Sequence, residues 1–142
     1  MPEQLPALDP ESQLGYLVVR VADQLARPWP EALRAHGINA RQFSMLAVLA
    51  RDPGLSQAEL ARRVLIRPQS LGESLAALMR AGLIIRGEVE PGRAARLEVT
   101  DAGHQLLTHA HPVVRAYDHE RFAALTCDER DELARLLRKL LD

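Results

Sequence analysis

The strongest constraint on this chain is a change of hydrophobic period at Gly82. Before it, Leu71, Leu75 and Leu78 recur at helical spacing behind Pro68. Proline suits the first position of a helix, where its missing amide costs nothing. After Gly82, Leu83, Ile85, Gly87 and Val89 alternate with Ile84, Arg86, Glu88 and Glu90, the two-residue period of a strand. Glu90-Pro91-Gly92-Arg93 puts proline and glycine at the two central positions of a type II turn, and Leu97 and Val99 form a short returning strand.

The flanks read as helices with explicit start signals. Ser56-Gln57-Ala58-Glu59 has the form of a capping box and opens a short helix carrying Leu60, Ala61 and Val64. Asn39-Ala40-Arg41-Gln42 opens an earlier one, with Phe43, Leu46, Leu49 and Ala50 inward, ended by Asp52-Pro53-Gly54. Residues 1–10 read as a tail. A first helix is expected from near Glu11, with Leu14, Leu17, Val18, Val21 and Leu25 on one face. Pro28 and Pro30 interrupt it, and the segment from Glu31 to Ala35 stops at His36-Gly37, where glycine suits a left-handed cap. Thr100 caps a long helix that Pro112 should bend. Thr126-Cys127-Asp128-Glu129 is a third capping box, before a stripe of Leu133, Leu136, Leu137, Leu140 and Leu141.

The expected fold class is therefore mainly α with a small β-hairpin wing: a winged helix-turn-helix flanked by N- and C-terminal helices. Its 142 residues suit one domain, and an aromatic content of only 4%, with alanine and leucine abundant, suits helices packed on helices. The formal net charge of −1 argues mildly against nucleic acid. The charge is unevenly spread, however. From residue 62 to 100, Arg62, Arg63, Arg67, Arg80, Arg86, Arg93 and Arg96 outnumber Glu73, Glu88, Glu90 and Glu98. Arginine is the cation better suited to bidentate phosphate and base contacts.

In a winged helix-turn-helix the second helix lies in the major groove while the hairpin reaches along the duplex. With Leu71, Leu75 and Leu78 facing the core, the opposite side of that helix carries Gln69, Glu73, Ala76 and Arg80, with Ser70 and Ala77 beside them. Hydrogen-bonding groups near the helix start, followed by small residues, suit a groove reader. Gln69 is expected to pair with an adenine edge; Glu73 either accepts from cytosine or holds an arginine, against repulsion from phosphates. Of Arg62 and Arg63, at least one is expected to be a solvated helix residue.

The segments FSMLAVLARDPGLSQAELARRVLIRPQSLGESLAALMRAGLI (residues 43–84) and RLEVTDAG (residues 96–103) resemble the MarR (multiple antibiotic resistance regulator) family. The resemblance spans residues 38–106, roughly half the chain. It implies one domain over residues 1–142, with a DNA-binding part at 39–100 and dimerisation helices at 11–36 and 101–142. It also implies a homodimer on a pseudo-palindromic operator in double-stranded DNA, controlled by a small, often aromatic or phenolic, effector. The DNA-contact candidates are Ser56, Gln57, Arg67, Gln69, Ser70, Glu73, Ser74, Arg93 and Arg96. Effector-pocket candidates are Tyr16, Trp29, His36 and Met45, although packing in the core or at a dimer contact is the leading reading for Trp29. The wing departs from the family pattern. An acidic residue before a basic pair is common there, whereas this chain has Pro91-Gly92-Arg93-Ala94.

Other chemistries find little support. His104, His109, His111 and His119 include no pair at the i, i+4 spacing that sets two imidazoles side by side, so neither a metal nor a cofactor is expected. Cys127 stands alone, which excludes an internal disulfide and fits a reducing cytoplasm; its acidic neighbours oppose a thiolate. Nothing in the first residues reads as a signal peptide, and no apolar run is long enough to span a bilayer. No nucleophile, metal or phosphate-loop arrangement suggests an enzyme. The alternative to a DNA-binding regulator is a winged-helix module that binds protein without DNA.

Overall fold

A computed structural model describes residues 9–26, 29–64 and 66–141, with Ala26, Trp29, Pro30 and Ala32 described by backbone alone. Most of the expected tail, residues 1–8, lies outside this set, as do Arg27 and Pro28 of the expected break. The elements are a 3-10 turn at Pro10–Ser12, then α1 (Leu14–Ala26), α2 (Trp29–Arg34), α3 (Ala40–Arg51), α4 (Gln57–Val64) and α5 (Pro68–Arg80). The hairpin strands β1 (Ile84–Arg86) and β2 (Leu97–Val99) follow, then α6 (Asp101–Arg121) and α7 (Cys127–Leu141).

All three capping boxes form. The Asn39 side chain accepts from the Gln42 amide at 2.9 Å while Gln42 Oε1 accepts from the Asn39 amide at 3.0 Å. The same reciprocal pairing joins Ser56 to Glu59 and Thr126 to Glu129. Each box satisfies two amides that a helix start would leave unpaired. Those bonds hold the Glu59 carboxyl below the usual carboxylate range, chiefly through the Ser56 backbone amide, with Arg62 and Arg96 adding attraction. Glu129 is lowered in the same way by Thr126.

The core is built by α3, α4, α5 and the hairpin: Met45, Leu46, Leu49, Leu60, Leu71, Leu75, Leu78, Ile84 and Leu97 are all fully buried together. Each such side chain contributes about 1.5–3 kcal/mol by leaving water. The hairpin is also stitched to the α3–α4 loop, because the Leu97 amide donates to Leu55 O at 2.9 Å and its carbonyl accepts from Gly54 at 3.3 Å. At the other edge, the Thr100 amide donates to Leu83 O, and its hydroxyl accepts from the Gly103 amide while donating to Gly82 O. Gly103 has no room for a Cβ: one would press on the Leu83 carbonyl oxygen and lie 2.6 Å from Val99 Cγ1.

Two expectations need correction. The N-terminal segment opens with a 3-10 turn, since the Asp9 carboxylate accepts from the Glu11 amide, and α1 starts only at Leu14. The strand expected over residues 83–90 is three residues long, and its inward residue is Ile84, with Ile85 exposed. Leu83 still belongs to the helix exit, its amide bonding Leu78 O at 3.0 Å, so the strand starts one residue later, and after Ile84 both Ile85 and Arg86 are exposed. Met45 joins Leu46 and Leu49 on the buried face of α3. The turn expectation holds, with Gly92 at φ 79° and the Arg93 amide bonding Glu90 O at 3.1 Å. The long helix α6 runs on through Pro112.

Candidate nucleic-acid interface

The face of α5 opposite its buried leucines is open. Gln69, Glu73 and Arg80 are exposed there, and Ser70, Ser74, Ala76 and Ala77 are half-buried. Arg67 occupies the N-cap of α5 in extended conformation without a side-chain capping bond, so the helix starts with polar groups uncovered and an exposed guanidinium beside them. Backbone amides at such a start favour a negatively charged partner. The face combines hydrogen-bonding side chains with small neighbours, which allows close approach to base edges.

The start of α4 supplies the second group. Ser56 is engaged in its capping box as an acceptor, and its hydroxyl proton remains to donate. Gln57, half-buried, accepts through Oε1 from Arg86 Nη2 of β1 at 3.3 Å. On the wing, Arg93 lies at the turn and pairs with Glu90 at 3.2 Å, both side chains about two-thirds exposed. A pair so exposed contributes little stability and gives up its arginine readily to a phosphate. Arg96 is exposed and runs across Gly54, where a Cβ would meet its Nη1 at 3.5 Å. Of the two arginines on α4, Arg63 is held by Asp52 at 3.1 Å, and Arg62 is exposed.

The nine DNA-contact candidates thus lie on α5, the start of α4 and the wing. The pocket candidates are more scattered. Tyr16 is exposed on α1 beneath the Arg20 guanidinium, 5.8 Å from its ring centre, and His36 is half-buried after α2. Met45 is a core residue, and the Trp29 side chain lies outside the described residues. A cleft of about 460 Å³ between α6 and α7 and a groove of about 750 Å³ at the α4–α5 elbow are lined by none of these four. His104, His109, His111, His119 and Cys127 are exposed, and no group of three metal-ligating side chains converges among the described residues.

Several residues important to the geometry carried no local signal. Arg86 reaches Gln57 across 29 positions. Tyr117 Oη donates to Leu25 O at 3.0 Å, and Arg121 donates to Tyr117 Oη and to Gln24 O, so two residues of α6 cap the last carbonyls of α1.

A short helix set against a second helix with an open polar face, followed by a hairpin, makes this a winged helix-turn-helix protein. The profile of the MarR family matches residues 36–95. The HTH-type transcriptional repressor Rv2887 of Mycobacterium tuberculosis is 37% identical over 131 residues, covering 92% of this chain and 94% of the relative. The structure of Rv2887 with salicylic acid matches at a TM-score of 0.76 and 36% identity, over 96% of this chain and 99% of that one. Its complex with DNA matches at 0.73 and 36%, over 90% and 97%. The chain belongs to the MarR family, whose members named here are transcriptional regulators. Among the described residues, no helix is long and apolar enough to cross a membrane.

Proposed function

We propose that this chain is a DNA-binding transcriptional regulator and not an enzyme. It works in the cytoplasm as a homodimer on a pseudo-palindromic operator, and a small aromatic effector releases it. The observation that carries this reading is the open face of α5 around Gln69 and Glu73, backed by fully buried Leu71, Leu75 and Leu78. Residues 39–100 form the reading head in this proposal, and residues 11–36 and 101–142 form the dimer arms. Gln69, Ser70, Glu73 and Ser74 read base edges; Ser56, Gln57, Arg67, Arg93 and Arg96 hold the backbone. One recognition helix reads few base pairs, and two copies about one helical turn apart, roughly 34–36 Å, gain length and specificity.

Support for the dimer comes from apolar side chains that this protomer leaves uncovered on α1 and α7, among them Val18, Val21, Leu136 and Leu140. Support for the effector comes from Rv2887, whose structures include complexes with salicylic acid and p-aminosalicylic acid, both aromatic carboxylates. Such a ligand acts only by binding the released conformation more tightly than the DNA-bound one. Tyr16, Trp29, His36 and Met45 are proposed for its site.

The test is a fluorescence titration with the duplex upstream of the chain's own gene and with a random duplex, each at two salt concentrations. Tight binding to the upstream duplex, weakened by salt through counterion release, is expected. Gln69→Ala should weaken that binding about 10-fold and leave the random duplex nearly unchanged. A second reading, a protein-binding winged helix, draws on the net charge of −1 and the Glu90 carboxylate already paired with Arg93. It takes over if neither duplex binds at low salt.

A further inference from the structure

We infer that Arg86 is a positioning residue for DNA binding, acting by fixing which end of the Gln57 carboxamide faces outward; this deepens the DNA-binding reading and rests on it. Gln57 is the first residue of α4, and its Oε1 accepts from Arg86 Nη2 at 3.3 Å. A guanidinium has donors and no acceptor, so only the oxygen of the carboxamide can face it. The amide nitrogen is therefore turned the other way. Among the described residues Nε2 donates to no protein acceptor, although the side chain is half-buried.

What lies beside that nitrogen is the recognition helix. A Cβ on Gly72 of α5 would lie 3.9 Å from Gln57 Nε2, ordinary van der Waals distance, so the amide nitrogen sits against α5 at Gly72, one residue before Glu73 and three after Gln69 in sequence. Arg86 itself is fixed from behind, since it pairs in register with the fully buried Leu97, whose backbone is stitched to the α3–α4 loop. The wing base thus sets an N–H donor at the edge of the reading face. A neutral N–H group without a base-specific acceptor pattern suits a phosphate oxygen, and phosphate contacts carry register without sequence. Gln57 in this account positions the protein on any duplex, and Arg86 aims it.

The experiment is a double-mutant cycle in the same titration, with wild-type protein, Gln57→Ala, Arg86→Ala, the double variant and Arg86→Lys, on the upstream and random duplexes. Gln57→Ala should lower affinity about 5-fold, equally on both duplexes. Arg86→Ala should cost at least as much in the wild-type background and only about 2-fold, its long-range charge effect, in the Gln57→Ala background. Arg86→Lys, also donor-only, should restore most of the loss, and the thermal midpoints of the free proteins should not track these changes. Additive losses, or a Gln57→Ala loss confined to the upstream duplex, overturn the inference and leave the DNA reading standing. A wild-type protein that binds neither duplex overturns both.

Discussion

Helices α5 and α7 carry leucines at the same spacing, and the structure treats them differently. Leu75 of α5 is 1% exposed, whereas Leu140 of α7 is 73% exposed and Leu136 is 44% exposed. Nothing in the two stripes distinguishes them chemically. The difference lies in what the rest of the chain offers: α5 meets α3, α4 and β1, while the apolar faces of α1 and α7 find too little surface within one protomer. A hydrophobic stripe states that a face needs cover and leaves open which chain supplies it. Large apolar side chains left exposed along a helix face in this way point to an interaction site.

The comparison breaks if the two leucine sets respond alike to truncation. The largest effect is expected from Leu136→Ala combined with Leu140→Ala, which removes four side chains from the proposed two-fold contact. Dimer dissociation should be favoured by about 4 kcal/mol, roughly 1,000-fold, read by sedimentation equilibrium. Retention of the wild-type association state would show that the α7 stripe is covered by nothing. Next comes Leu75→Ala, expected to lower stability by about 3 kcal/mol in urea unfolding, because the cavity forms inside a packed core. Its cost should persist in the Leu136/Leu140 background.

The smallest effect separates the helix starts by pH. Glu59 and Glu129 both titrate below the usual carboxylate range when folded, so their contribution is present above that range and lost as pH falls through their folded values. Unfolding midpoints should therefore decline below about pH 4.5. Glu59→Gln should flatten that decline in the unfolding of the core, while Glu129→Gln should act only on the helical signal of the α7 arm. Equal effects of both variants on one cooperative transition would mean that arm and core unfold together.

Much of the fold was legible because its signals are local. The capping boxes act over three residues, Pro91-Gly92 dictates its own turn, and the Leu71–Leu75–Leu78 spacing selects the buried side of α5 without reference to anything else. The strand phase was misread because Leu83 has two possible owners, and only its bond to Leu78 O decides for the helix. The need for glycine at 103 is set by the Leu83 carbonyl and Val99, which only the fold brings against it. The open face of α5 in the candidate site was legible, and what supports that site was not. Gln57 was among the candidates at the start of the short helix, whereas Arg86 is tied to it only by the fold.

The capping of α1 by α6 has a mechanical consequence. The carbonyls of Gln24 and Leu25 are held by Arg121 and Tyr117, so α1 hangs from the far end of α6 like an arm pinned at its shoulder. The near end of α6 is seated on the hairpin through Thr100 and Gly103. α6, 21 residues long and with Pro112 inside it, thus has the wing at one end and the arm at the other. The wing and α1, far apart in sequence, are therefore anchored to opposite ends of the same helix.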